Sequence, residues 1–194
     1  MKICVSGVHG IGKTSLVKWI SEKYNLPLLS EQARFLLDTE YPFEIVNTDL
    51  SVFMDFQNHV LDNQKTVLEG QDNFVTDRSP IDSLSYVLER LGAERYLFPY
   101  YYQNYLERAL SIIETLKFDH IFFIEFDIED HPFWKNRKDG QRDLSPMYMK
   151  SLNNIMKSLY EEIEVSPNTQ IHNVPFFQFE ERKDFVRTML RSLT

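Results

Sequence analysis

Lys2-Ile3-Cys4-Val5-Ser6-Gly7-Val8-His9-Gly10-Ile11-Gly12-Lys13-Thr14-Ser15-Leu16-Val17-Lys18-Trp19-Ile20 decides the fold. Its middle, Gly7 to Thr14, fits the pattern G-x-x-x-x-G-K-[ST] in full. Lys2 to Ser6 is a short run with β-branched Ile3 and Val5, the composition of a buried strand. From Thr14 to Lys23 the apolar residues fall at Leu16, Val17 and Ile20, the spacing of a helix face. An ordinary glycine-rich turn between strand and helix is the alternative. The complete motif with both flanks in place speaks against it.

The chemistry of phosphate asks for these residue types. Gly7 and Gly12 let the backbone turn tightly and bring its N–H groups close to phosphate oxygens. A helix beginning near Lys13 aims unpaired N–H groups and the positive end of its dipole at the same anion. Lys13 is placed to bridge the β- and γ-phosphates, and the Thr14 hydroxyl to ligate Mg²⁺. The expected nucleotide-binding set is therefore Gly7, Gly10, Gly12, Lys13, Thr14 and Ser15, with ATP and Mg²⁺ as the expected cofactors.

A chain of 194 residues, 43% hydrophobic and 26% charged, fits one globular domain spanning residues 1–194. The formal charge of −8 argues against a broad nucleic-acid surface, though it leaves a local basic groove open. Cys4 is the single cysteine, so no disulfide closes within the chain, as expected in a reducing compartment. Its place in the first strand reads as core packing rather than reactivity. Met1-Lys2 runs straight into that strand, so no leader is expected. No apolar stretch approaches membrane-spanning length. The expected compartment is the cytoplasm, of a cell or of an infected host.

Strand and helix patterns alternate to the end. Leu26 to Ser30 reads as a second strand and Glu31 to Leu37 as a helix start, broken at Tyr41-Pro42-Phe43. Leu50 to Leu68 is a long amphipathic helix. Asn73 to Thr76 is a third strand, and Pro80 opens a helix at a position where proline is tolerated. Tyr96 to Leu116 is another long helix. His120 to Phe126 is the most apolar strand, as suits a central parallel strand covered on both faces. Asp127 to Ser145 is charged and lacks an apolar period, so it reads as a loop or mobile lid over approximately 127–145. Pro146 to Val165 is helical, Thr169 to Val174 the last strand, and Glu180 to Leu193 the closing helix. Five strands with helical crossovers imply a three-layer α/β fold around a parallel sheet.

Ligands of such sheets sit at the carboxyl ends of the strands. Asp77-Arg78-Ser79 follows the third strand, so Asp77 should stand beside the phosphate loop and hold Mg²⁺, with Arg78 on the acceptor or a phosphate. A helix cap explains Ser79 equally well, but explains the Asp-Arg pair poorly. Glu31 follows the second strand and is either a base for an attacking hydroxyl or a cap paired with Arg34 one turn on. Gln57 could bond a base edge or mark the polar boundary of its helix. Lys135 to Arg142 is locally basic, and Arg137, Lys138 and Arg142 could close over a transferring phosphoryl group. A solvated loop is the plainer alternative. The run Phe98-Pro99-Tyr100-Tyr101-Tyr102-Gln103-Asn104-Tyr105 reads mainly as packing, with one member lining an acceptor pocket or the helix pairing two copies of the chain. The histidines show no metal-ligand spacing.

No Asn-Lys-x-Asp guanine signal is present, which argues against a GTPase. The chain is short for a motor or AAA-type machine. It resembles the small P-loop kinases related to the ribosylnicotinamide kinase domain of the NAD-salvage regulator, and more distantly the deoxynucleoside and thymidylate kinases. Gly7–Thr14, Ser30-Glu31-Gln32-Ala33-Arg34, Asp77-Arg78-Ser79-Pro80-Ile81-Asp82 and Asp139-Gly140-Gln141-Arg142 carry the resemblance, with Gln57 and Glu180-Glu181-Arg182. It implies Glu31 as base, Asp77 near Mg²⁺, Arg78 on acceptor or phosphate, Arg137 and Arg142 as lid arginines, and Gln57 on the base of the acceptor. Catalytic Lys13 and acceptor-binding Arg34 complete the set. The expected activity is phosphoryl transfer from ATP to a nucleoside, nucleotide or related metabolite. A DNA acceptor with a hydroxymethylated base and a regulatory ATPase are the alternatives.

Overall fold

The computed structural model describes residues 1–29, 33–127, 145–162, 168–175 and 178–191. Five parallel strands form one sheet in the order β2-β3-β1-β4-β5. They are β1 (Lys2–Ser6), β2 (Leu28–Leu29), β3 (Phe74–Asp77), β4 (His120–Ile124) and β5 (Gln170–Val174). Register sets Ile3 between Val75 and His120, so β1 is the central strand. Successive side chains of a strand point to opposite faces. Ile3, Cys4 and Val5, and Ile121 through Ile124, are all 0% exposed, so the middle of the sheet is covered on both faces. That is why these strands read as unbroken apolar runs.

The helices are α1 (Lys13–Tyr24), α2 (Ala33–Thr39), α3 (Phe43–Thr48), α4 (Leu50–Leu68), α5 (Pro80–Leu91), α6 (Pro99–Leu116), α7 (Pro146–Glu162) and α8 (Phe179–Arg191). None in the described residues is long and apolar enough to cross a membrane. The amphipathic reading of α4 holds, with Phe53, Phe56, Val60, Leu61 and Leu68 buried.

Several boundaries differ from the sequence reading, for physical reasons. The break at Tyr41-Pro42 is followed at once by α3, which six residues are too few to reveal by period. Helix α6 starts at Pro99 rather than Tyr96; Gly92–Leu97 is a 3-10 turn, and a residue before proline is driven out of helical conformation. Strand β4 ends at Ile124, two residues early, where Glu125 N–H still donates to Val174 O. The edge strand β2 is described over Leu28–Leu29 alone. Ser30, residues 163–167 and residues 192–194 of the expected elements lie outside the described residues.

Candidate active site

Strand β1 ends at buried Ser6, and the chain turns through Gly7, Gly10 and Gly12 with φ of +134°, +78° and +91° into α1. Gly7 has no alternative here. A Cβ on it would lie 2.6 Å from Ile11 Cδ1 and 2.7 Å from Ile124 O. Gly12 caps α1 in the left-handed region, and no side chain bonds the first-turn N–H groups in the manner of a cap. Those groups are the ones that receive an anion at a helix N-terminus. Lys13 is buried, and its ammonium donates to Gly7 O and Val8 O, each at 2.7 Å. Buried Arg182 of α8 donates to Ile11 O, so the end of the chain reaches the same loop.

Strand β3 pairs directly with β1, Val5 opposite Asp77. Both strands deliver their carboxyl ends to one place, where Thr14 Oγ1 donates to Asp77 Oδ2 at 2.9 Å. A hydroxyl and a carboxylate side by side suit a hard divalent cation such as Mg²⁺, which takes one or two protein oxygens plus phosphates and waters. Among the described residues no group of three or more His, Cys, Asp or Glu could hold a metal by itself.

Arg78 follows with φ +109°, rare for a residue with a side chain and a form of strain that collects at functional sites. Its N–H donates to Val5 O at 3.1 Å, which holds the turn against the central strand. Its guanidinium lies over the Tyr86 ring, 5.1 Å from the centroid. Ser79 then caps α5 in a capping box with Asp82, and Pro80 opens the helix. Asp77 and Arg78 thus stand at the site while Ser79 is the cap.

A cavity of about 500 Å³ opens beside the phosphate loop, walled by residues of α2, α3, α4 and α5. Arg34, Gln57 and Arg78 all line it. Gln57 is buried on the apolar face of α4, facing the cavity rather than marking a polar boundary. None of residues 98–105 lines it. Tyr105 is instead fully buried and donates to Gln57 O at 3.3 Å, and Tyr100 is 90% exposed.

Phe43, Phe53 and Phe56 give the cavity an apolar aromatic wall, and Tyr86 and Tyr148 line it with His9 of the loop close to both. His9 Nδ1 is 2.9 Å from Tyr86 Oη, and its ring lies 6.1 Å from Tyr86 and 5.9 Å from Tyr148. By sequence alone His9 reads as no more than a permitted variable position of the loop. The signal for Tyr86 is its helical spacing, four residues after Asp82, which places both on one face of α5. Glu31, Arg137, Arg142 and most of the expected lid lie outside the described residues.

A glycine loop between a central strand and a helix, with an aspartate on the neighbouring strand, defines a P-loop nucleotide-binding domain. The AAA_28 family, described as an AAA domain, matches residues 2–182, and the chain belongs to that family. No curated protein sequence matches it. Among solved structures it is similar to deoxyadenosine kinase from M. mycoides with the products dCMP and dCDP bound, at TM-score 0.74 and 18% identity over 100% of both chains. Thymidylate kinase from Candida albicans follows at TM-score 0.62 and 13% identity, over 98% of this chain and 91% of that one. Shikimate kinase from Acinetobacter baumannii in complex with shikimate reaches TM-score 0.60 and 15% identity, over 99% of this chain and 92% of that one. At such identities the likeness is one of fold, and the fold is that of the small P-loop nucleoside and nucleotide kinases. The AAA description thus falls on a chain that shares its fold, over nearly its whole length, with small kinases.

Proposed function

We propose that this protein is an ATP- and Mg²⁺-dependent kinase acting on a nucleoside, nucleotide or related small metabolite. The observation that carries this reading is the cavity of about 500 Å³ set against the phosphate loop, with His9 and Arg78 both in its wall. A hydrolase needs room only for water, whereas this volume suits a nucleoside-sized acceptor. Likeness of fold to kinases of three different small acceptors supports it.

The loop N–H groups and the first turn of α1 hold the triphosphate. Lys13 exchanges the carbonyls of Gly7 and Val8 for the β- and γ-phosphate oxygens. Thr14 and Asp77 would hold Mg²⁺, which would supply positive charge against the phosphates. Arg34, Gln57 and Arg78 orient the acceptor. Its hydroxyl oxygen bonds to the γ-phosphorus as the bond to the β-bridging oxygen breaks, and Glu31 takes the hydroxyl proton. Arg137 and Arg142 close over the transferring group. Glu31 and the two lid arginines are assigned through the resemblance of their motifs.

Thr14→Val is expected to weaken Mg²⁺-dependent nucleotide binding by about tenfold, with binding in EDTA unchanged. Equal loss in both conditions would remove Thr14 from the metal site. Glu31→Gln is expected to slow transfer on the order of 100-fold with ATP affinity preserved. Normal turnover by that variant would mean another group takes the proton.

The deciding experiment offers γ-³²P-ATP with deoxynucleosides, their monophosphates, nicotinamide riboside and hydroxymethyl-containing DNA. Label on one small acceptor supports the proposal and names the substrate. Label on the DNA replaces it with a DNA-modifying kinase, and label released only as free phosphate replaces it with a regulatory ATPase.

A further inference from the structure

Asp82 carries more hydrogen bonds than its place in a capping box requires. A capping box asks the third helical residue to accept from the backbone N–H of the cap. Asp82 Oδ2 does so, accepting from Ser79 N at 2.8 Å. The same oxygen also accepts from Ser79 Oγ at 3.0 Å and from Ser6 Oγ at 2.9 Å. The other oxygen, Oδ1, turns away from the helix and accepts from Gly7 N at 3.1 Å. Tyr160 Oη of α7 completes the group, 2.8 Å from Ser79 Oγ and 3.5 Å from Asp82 Oδ2. The carboxylate is 0% exposed, as are Ser6 and Ser79. A carboxyl group so deep in the fold is tolerable because hydrogen-bond donors surround it.

We infer that Asp82 is a positioning residue for the phosphate loop, fixing the peptide of Gly7 in the orientation that nucleotide binding needs. Gly7 is held from two sides, its N–H by Asp82 and its C=O by Lys13. Under the proposed kinase reading, on which this inference rests, Lys13 leaves Gly7 O for the phosphates. The bond to Asp82 is then the tie that persists. It comes from α5, the helix that also places Tyr86 against His9, so one helix sets the loop at two points two residues apart. The burial of the carboxylate excludes water as a substitute acceptor for the Gly7 amide.

Asp82→Asn keeps the shape but must turn an amide NH₂ towards one of two backbone donors, Gly7 N or Ser79 N. Donor then faces donor, and the loop shifts. Ser79→Ala removes part of the helix cap and leaves the bond to Gly7 in place. Asp82→Asn is expected to raise the Kd for a fluorescent ATP analogue by about 10- to 100-fold, the scale of a small misplacement of a binding group. The acceptor KM should stay within about twofold, and Ser79→Ala should lower Tm while holding the nucleotide Kd within the same bound. Equal nucleotide affinity in Asp82→Asn and wild type would overturn the inference. So would losses in both variants that follow Tm alone. Should Asp82→Asn fail to fold, amide exchange of the wild type decides: a slowly exchanging Gly7 N–H supports the bond, and rapid exchange overturns it. If the wild type binds no ATP, the kinase reading fails, while the Gly7 exchange result still stands.

Discussion

Lys13→Ala is expected to cut phosphoryl transfer on the order of 1,000-fold, with the fold intact. The magnitude follows from where the ammonium sits. It is buried and already within 2.7 Å of two loop carbonyls, so no water competes for the position it vacates. A charge in such a place acts on a phosphate more strongly than it would at the surface. Its removal also leaves Gly7 O and Val8 O without that donor, a cost of about 1–3 kcal/mol in stability. Transfer should therefore be compared well below the Tm of the variant. Lys13→Arg is expected to fail as well, since a planar fork cannot occupy the space of a point charge between two carbonyls. Retention of more than a tenth of wild-type transfer by Lys13→Ala would place the phosphate elsewhere.

Gly7→Ala is expected to destabilise the protein by about 4 kcal/mol, combining backbone strain with overpacking. A φ of +134° lies outside even the left-handed well that side chains occasionally adopt. The added Cβ would meet a backbone oxygen, Ile124 O at 2.7 Å, and β4 lies buried inside the sheet where it cannot yield. Thermal unfolding should show a loss of about 10 °C. Gly70→Ala serves as the comparison, because a Cβ there meets nothing within 4 Å and only its φ of +76° resists. That variant should lose about 1 kcal/mol. Similar losses in the two would mean the contact with Ile124 carries no weight.

Both predictions concern residues that the sequence itself singles out. The loop announces itself because phosphate binding constrains type and spacing together. Asp77 is legible because a parallel sheet sends the ends of neighbouring strands to one edge. Gln57 is not settled by its helix, where a polar residue on an apolar face reads two ways. The resemblance implies a contact to the base of an acceptor, and the structure shows the side chain in the cavity wall.

His9 and Asp82 escape a sequence reading for a different reason. Each bonds to a partner far along the chain, Tyr86 and Gly7 respectively, and periodicity records only neighbours on one element. Helix α3 escapes because six residues make too few turns to display a period. The tyrosines of residues 98–105 show the converse, a conspicuous composition serving the core at Tyr105.

The central position of β1 has a consequence for which wall of the site can give way. The side of the cavity nearest the glycine loop hangs from β1 and β4, where Ile3 to Val5 and Ile121 to Ile124 are wholly buried. The far wall of the cavity leans partly on α2 and α3, which bury only Leu36 and Val46 and leave Phe35 57% and Ile45 46% exposed. Local opening follows the least buried segments first. The protein thus combines an anvil that holds its shape with a door on light hinges, and a ligand entering the cavity works against the weaker of the two.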